Sequence, residues 1–130
     1  MKLIFILTRI ALGGLMLFSG LNKFFAFAEL PAFEGNAQAF MDILGQSQFL
    51  DVIGGLEVLG GLFLVTGFFV SLGVVLLGPV VVNILLFHGL IQSNWFEPMS
   101  LAATVLFLVT LIGVLPDFAP IFRPTKEVSE

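Results

Sequence analysis

Hydrophobic length constrains this chain more than any motif does. Residues 3–25, 49–69, 71–91 and 98–118 are four apolar runs, each of about 20 residues, the length an α-helix rising 1.5 Å per residue needs to cross roughly 30 Å of hydrocarbon. In lipid every backbone N–H and C=O must be paired inside the protein, so runs of this length fold as helices. The expected fold is all-α, a polytopic membrane four-helix bundle forming a single transmembrane domain over residues 1–130. Composition agrees: 58% of residues are hydrophobic and 11% are charged, and the mean hydropathy is +1.13, whereas about a quarter of a soluble domain is charged. A net charge of -4 offers no basic surface, so no nucleic-acid partner is expected. The chain has no cysteine, which excludes an internal disulfide, a thiolate metal site or a dithiol relay. It has one histidine, too few for a metal centre unless carboxylates join it, and no metal site is expected.

The first run follows Lys2, and Ala26-Phe27-Ala28 looks like a small-residue cleavage site. A signal peptide should have a short uncharged core, however, and this run is long and contains Arg9, Asn22 and Lys23, so it reads as a span. The few cations set the orientation. Lys2 lies at one end and Arg123 and Lys126 follow the last run, which makes both termini cytoplasmic. The connection over residues 26–48, with Glu29, Glu34 and Asp42, is then external. Within it Ala37, Phe40, Met41 and Leu44 recur at helical spacing and predict a short interfacial helix. The last span begins at Pro98, a favoured first helical position, and should fray or kink at Pro116 and Pro120.

Residues 12–20 (LGGLMLFSG) and 59–67 (LGGLFLVTG) form an inverted pair in the first two spans. Small residues let helices approach closely in lipid, and on that reading these two spans touch. Polar residues within the spans carry more information, because charge in hydrocarbon is expensive and turns toward the bundle interior. Ser19, Glu57 and Asn83 lie roughly 9 to 12 Å below the external boundary at 1.5 Å per residue. They form one layer, in which Glu57 and Asn83 are expected within hydrogen-bond reach, directly or through one water. Lys23 and His88 lie nearer that boundary and Arg9 nearer the cytoplasm. Each has a plainer reading: Asn83 as an interhelical hydrogen bond, His88 as an imidazole reaching water, Lys23 and Arg9 as cations reaching headgroups. A carboxyl as deep as Glu57 must be protonated, paired or solvated in a cavity.

Arg9, Gly13, Gly20, Lys23 and Phe24, then Gly54, Glu57, Gly60 and Gly61, then Pro79, Asn83, Phe87 and His88 together resemble the DoxX family of small bacterial membrane proteins. The resemblance covers the chain from Leu3 to about Pro116 and implies a four-helix bundle in the bacterial inner membrane. It further implies a redox association, since some relatives are linked to thiosulfate:quinone oxidoreductase or to oxidative-stress complexes. The expected site is a polar pocket in which Glu57 and His88 carry the chemistry and Lys23, Asn83, Ser19 and Arg9 bind the ligand. That ligand would be a quinone, held by an apolar bundle with a few polar donors, or a small anion. The chain encodes no electron carrier, so the reaction would need a bound quinone or a partner redox subunit; a homo-oligomer is also open. The alternative is a non-enzymatic membrane scaffold whose polar layer only fixes helix register.

Overall fold

The computed structural model describes residues 1–29 and 32–125; Lys126, used above for orientation, lies outside the described residues. The described elements are all helical. They are α1 (Lys2–Phe25), α2 (Gly35–Gln46), α3 (Phe49–Thr66), α4 (Val70–Leu86) continued by a π-helical turn (Phe87–Ile91), and α5 (Pro98–Val114) continued by a 3-10 segment (Leu115–Phe122). Four of these helical stretches, Lys2–Phe25, Phe49–Thr66, Val70–Ile91 and Pro98–Phe122, are long and apolar enough to cross a membrane. The protein is a multi-pass membrane protein whose outward side chains contact lipid. Large apolar residues such as Leu7, Phe18, Leu62, Val75, Leu108 and Ile112 are accordingly exposed, the inverse of the soluble pattern.

Each connection has a local cause. α1 stops where Ala26 turns left-handed (φ 47°) and donates its N–H to the Asn22 carbonyl. α3 stops at Gly67, whose φ of 83° suits a residue without a side chain. The α3–α4 hairpin therefore needs only three residues, and α4 restarts at Val70. α5 starts at Pro98, and the preceding Glu97 carboxylate accepts from the N–H groups of Met99 (3.2 Å) and Ser100 (2.7 Å). This caps two donors that a helix start leaves unpaired. Pro116 and Pro120 cannot donate to an α-helical ladder, and α5 gives way to 3-10 geometry at Leu115, as their positions predict. Ser71 at the start of α4 donates to the Asp117 carboxylate of that segment.

The most extensive packing joins α1 to α3; α4 packs on α3 and α5, and α5 returns to α1. Where α1 and α3 cross, glycine meets glycine. A side-chain carbon built on Gly61 would lie 2.7 Å from the Gly13 carbonyl oxygen, and one on Gly20 would lie 2.7 Å from that of Gly54. Backbone therefore rests on backbone, as small residues permit in lipid. The two nine-residue matches do bring their helices together, but Gly14 of the first has open space beside it. The core is Leu12 and Met16 of α1, Leu64 of α3, Val74, Leu77, Val80 and Val81 of α4, and Ala103 and Val114 of α5. α2 lies across the end of the bundle that carries Lys23. Its predicted apolar face holds, with Ala37 and Leu44 buried and the Phe40 ring 5.5 Å from that of Phe87 of the π turn, tilted by 37°.

Candidate functional site

Lys23, in the last turn of α1, would ordinarily reach outward to water or headgroups. Helical side chains also lean toward the helix N-terminus, and here that direction leads into the bundle. The Lys23 ammonium donates to Ser19 Oγ (3.0 Å) on its own helix, and lies 2.9 Å from Oε1 and 3.1 Å from Oε2 of Glu57 on α3. Glu57 is 1% exposed and Lys23 20%. A buried carboxylate is thus neutralised by an ammonium whose other side remains open at the α2 end of the bundle. The glycines at 20 and 54 make this possible, because the backbones of α1 and α3 must nearly touch for a lysine of one to wrap onto a glutamate of the other.

A second polar cluster sits at the same end, on α4 and α5. The π turn has an i to i-5 hydrogen bond from Gln92 N–H to the Phe87 carbonyl, a distortion common at functional positions. Within it His88 Nδ1 is hydrogen-bonded to Gln92 Oε1, and His88 Nε2 lies 3.7 Å from Glu97 Oε2. Trp95 packs flat on Gly89, where a side-chain carbon would fall 2.1 Å from the indole. Asn94 N–H closes the loop onto the His88 carbonyl at 2.8 Å. His88 is therefore fastened between the end of α4 and the capping carboxylate of α5. Among the described residues no hydrogen bond or ion pair joins this cluster to Lys23 or Glu57.

The predicted single layer needs correction at Asn83. Its side chain is exposed on the outer face of α4 and its Nδ2 donates to the Pro79 carbonyl of the same helix at 2.8 Å. The expected Glu57–Asn83 bond does not form. Depth along a helix leaves azimuth open: Val80 and Val81 face the core, which turns Asn83 away. Arg9 is also remote, packed at the opposite end against the α3–α4 turn, where a side-chain carbon on Gly67 would fall 2.5 Å from its Nη1. Of the expected pocket, Ser19, Lys23 and Glu57 come together, His88 forms its own cluster, and Asn83 and Arg9 stand apart.

Two residues escaped the sequence reading. Glu97 was signalled by an acid directly before a helix-starting proline, the pattern of a capped N-terminus. Ser100 is 1% exposed and its Oγ has no hydrogen-bond partner. The Phe5–Gly113 contact fixes the antiparallel register of α1 and α5: thirteen residues on from Phe5 is Phe18, and thirteen back from Gly113 is Ser100. Ser100 therefore lies level with Ser19, on the facing helix. Nothing in the local sequence distinguishes it from a serine bonded to its own backbone.

No significant match to a curated protein or to a solved structure was found. The family model for DoxX matches residues 4–90, from the first turn of α1 into the π turn, and so takes in Lys23, Glu57 and His88. With well over half its length matched, and with four membrane-crossing helices, the chain belongs to the DoxX family.

Proposed function

We propose that this protein is a redox-associated component of the bacterial inner membrane in which Lys23, Ser19 and Glu57 receive the polar head of a quinone. The observation that carries the reading is the neutralised pair: the ammonium is partly exposed and the carboxylate is buried. A free anion bound to Lys23 would leave Glu57 uncompensated in a low-dielectric site, which is costly. A neutral ring with carbonyl acceptors takes a hydrogen bond from the ammonium without that cost. The apolar rings at this end favour such a ligand: Phe24 packs against Gly54, Phe18 meets Phe27 edge to face, and Phe24, Phe25 and Phe49 are exposed. A bound quinone would supply two-electron chemistry, while the chain's own residues orient it and exchange a proton at Glu57, with His88 at the aqueous edge. Electrons would come from a partner redox subunit. Both termini are cytoplasmic in this reading and the α2 end is external.

The scaffold reading retains one specific support. Lys23 donates to Ser19 and to Oε2 of Glu57 and lies 2.9 Å from Oε1, so the buried carboxylate is neutralised without a ligand and the pair could act only as a clamp between α1 and α3. Titrating a short-chain quinone into the detergent-purified protein, with the single tryptophan, Trp95, as reporter, separates the two. Saturable quenching that is lost in Glu57→Gln with folding intact supports the redox reading. Quenching that is absent, or unchanged in the variant, leaves the clamp.

A further inference from the structure

The amide of Asn83 stands where lipid alone should be. Counting along the 22-residue span Val70–Ile91, it lies two to three residues from the midpoint, roughly 4 Å at 1.5 Å per residue. An asparagine side chain has two N–H donors and an oxygen with two lone pairs. One N–H is used on the Pro79 carbonyl; the second N–H and Oδ1 have no partner among the described residues. Pro79 has no N–H, so the carbonyl of Val75, a turn back on the same side, also loses its usual donor. Acyl chains can satisfy neither group. The surrounding surface is apolar and exposed, Leu72, Val75, Val82 and Leu86, spaced as a helix spaces one face.

The geometry points to a second copy of this chain as the occupant of that face. A two-fold axis along the membrane normal places the same atom of both copies at the same depth, and an amide is its own complement: the free N–H of each Asn83 donates to the Oδ1 of the other. Such an interface is isologous and closes at two. Leu72, Val75, Pro79, Val82 and Leu86 alternate three and four residues apart, the repeat with which two parallel helices pack side by side. A different membrane protein would have to offer a matching donor and acceptor at one particular depth; the chain itself does so by symmetry.

The test uses single-cysteine variants, since the native chain has no cysteine to interfere. In native membranes oxidised with copper-phenanthroline, Val82→Cys beside the amide should cross-link to a dimer much faster than Leu108→Cys on the exposed face of α5. In lipid vesicles, energy transfer between donor- and acceptor-labelled copies should show self-association, and Asn83→Val should weaken it about 5- to 30-fold, the effect of losing an interhelical bond of 1 to 2 kcal/mol. Asn83→Gln should retain most of it, and helical circular dichroism of both variants should match the parent. Cross-linking at Val82 no faster than at Leu108, or self-association unchanged in a folded Asn83→Val protein, overturns the proposal. Energy transfer at the level of random proximity in the parent overturns it equally and hands the face to lipid or another protein.

Discussion

Lys23 and Glu57 are separated by 34 positions in sequence and by one hydrogen bond in space. Taking two charges into a low-dielectric interior is expensive, and the pair returns little net stability over an apolar one, but removing a single partner strands the other. Lys23→Met or Glu57→Leu alone is therefore expected to lower unfolding stability by roughly 3 to 5 kcal/mol. The double variant should recover much of that loss, and denaturation of all four proteins in the same detergent measures the coupling. Ser100 makes a second case. A buried hydroxyl without a partner costs about 1 to 3 kcal/mol, so Ser100→Ala should leave the purified protein as stable as the parent or more so. A clear loss of stability would mean that the hydroxyl is bonded in the working protein, to water or to ligand. Chemistry at this scale was legible in part: a carboxyl that deep had to be protonated, paired or solvated, and lysine is among the residues expected in its pocket. The identity of the pair was not legible, because depth along a helix says nothing of azimuth, and Asn83 was assigned inward on depth alone.

At the scale of elements, the α1–α3 crossing depends on glycines that are not equivalent. Gly61 has the Gly13 oxygen at 2.7 Å and the Leu17 nitrogen at 2.8 Å from where a side-chain carbon would sit, all of it backbone, whereas Gly14 has nothing within 4 Å. Gly61→Ala should cost about 1 to 3 kcal/mol through overpacking. Gly14→Ala should be neutral or stabilise by roughly 0.5 to 1 kcal/mol through helix propensity, and thermal unfolding of the two side by side checks the distinction. The π turn offers an optical test. Gly89→Ala would push Trp95 off the helix, so the emission of the single tryptophan should shift to the red as the indole gains water. Helix positions, the α2 face and the proline-induced end of α5 could all be read from periodicity and from proline's missing N–H. The π turn could not, since it depends on how His88, Gln92 and Trp95 fit together at the end of α4, which no periodicity encodes.

For the whole molecule, orientation is the property on which the external position of the Lys23 site depends. Without native cysteines, single-cysteine variants report it directly: Gly35→Cys in α2 should react with an impermeant maleimide added outside intact cells, and Phe68→Cys in the α3–α4 turn only after the inner face is opened. The reverse pattern would invert the molecule and put the Lys23–Glu57 pair at the cytoplasmic end. The inward bend of Lys23 also bears on how the protein is made. α1 and α3, which carry the two charges, are the two least hydropathic of the four spans, and α1 leaves the ribosome first. Until α3 arrives, Lys23 has no carboxylate to bend toward and stays with the headgroups; α3 alone would bring an unneutralised glutamate into the lipid. Each helix thus favours the other's settling at full depth, and the α1–α3 pair is expected to be the first membrane-stable unit, with α4 and α5 packing onto it.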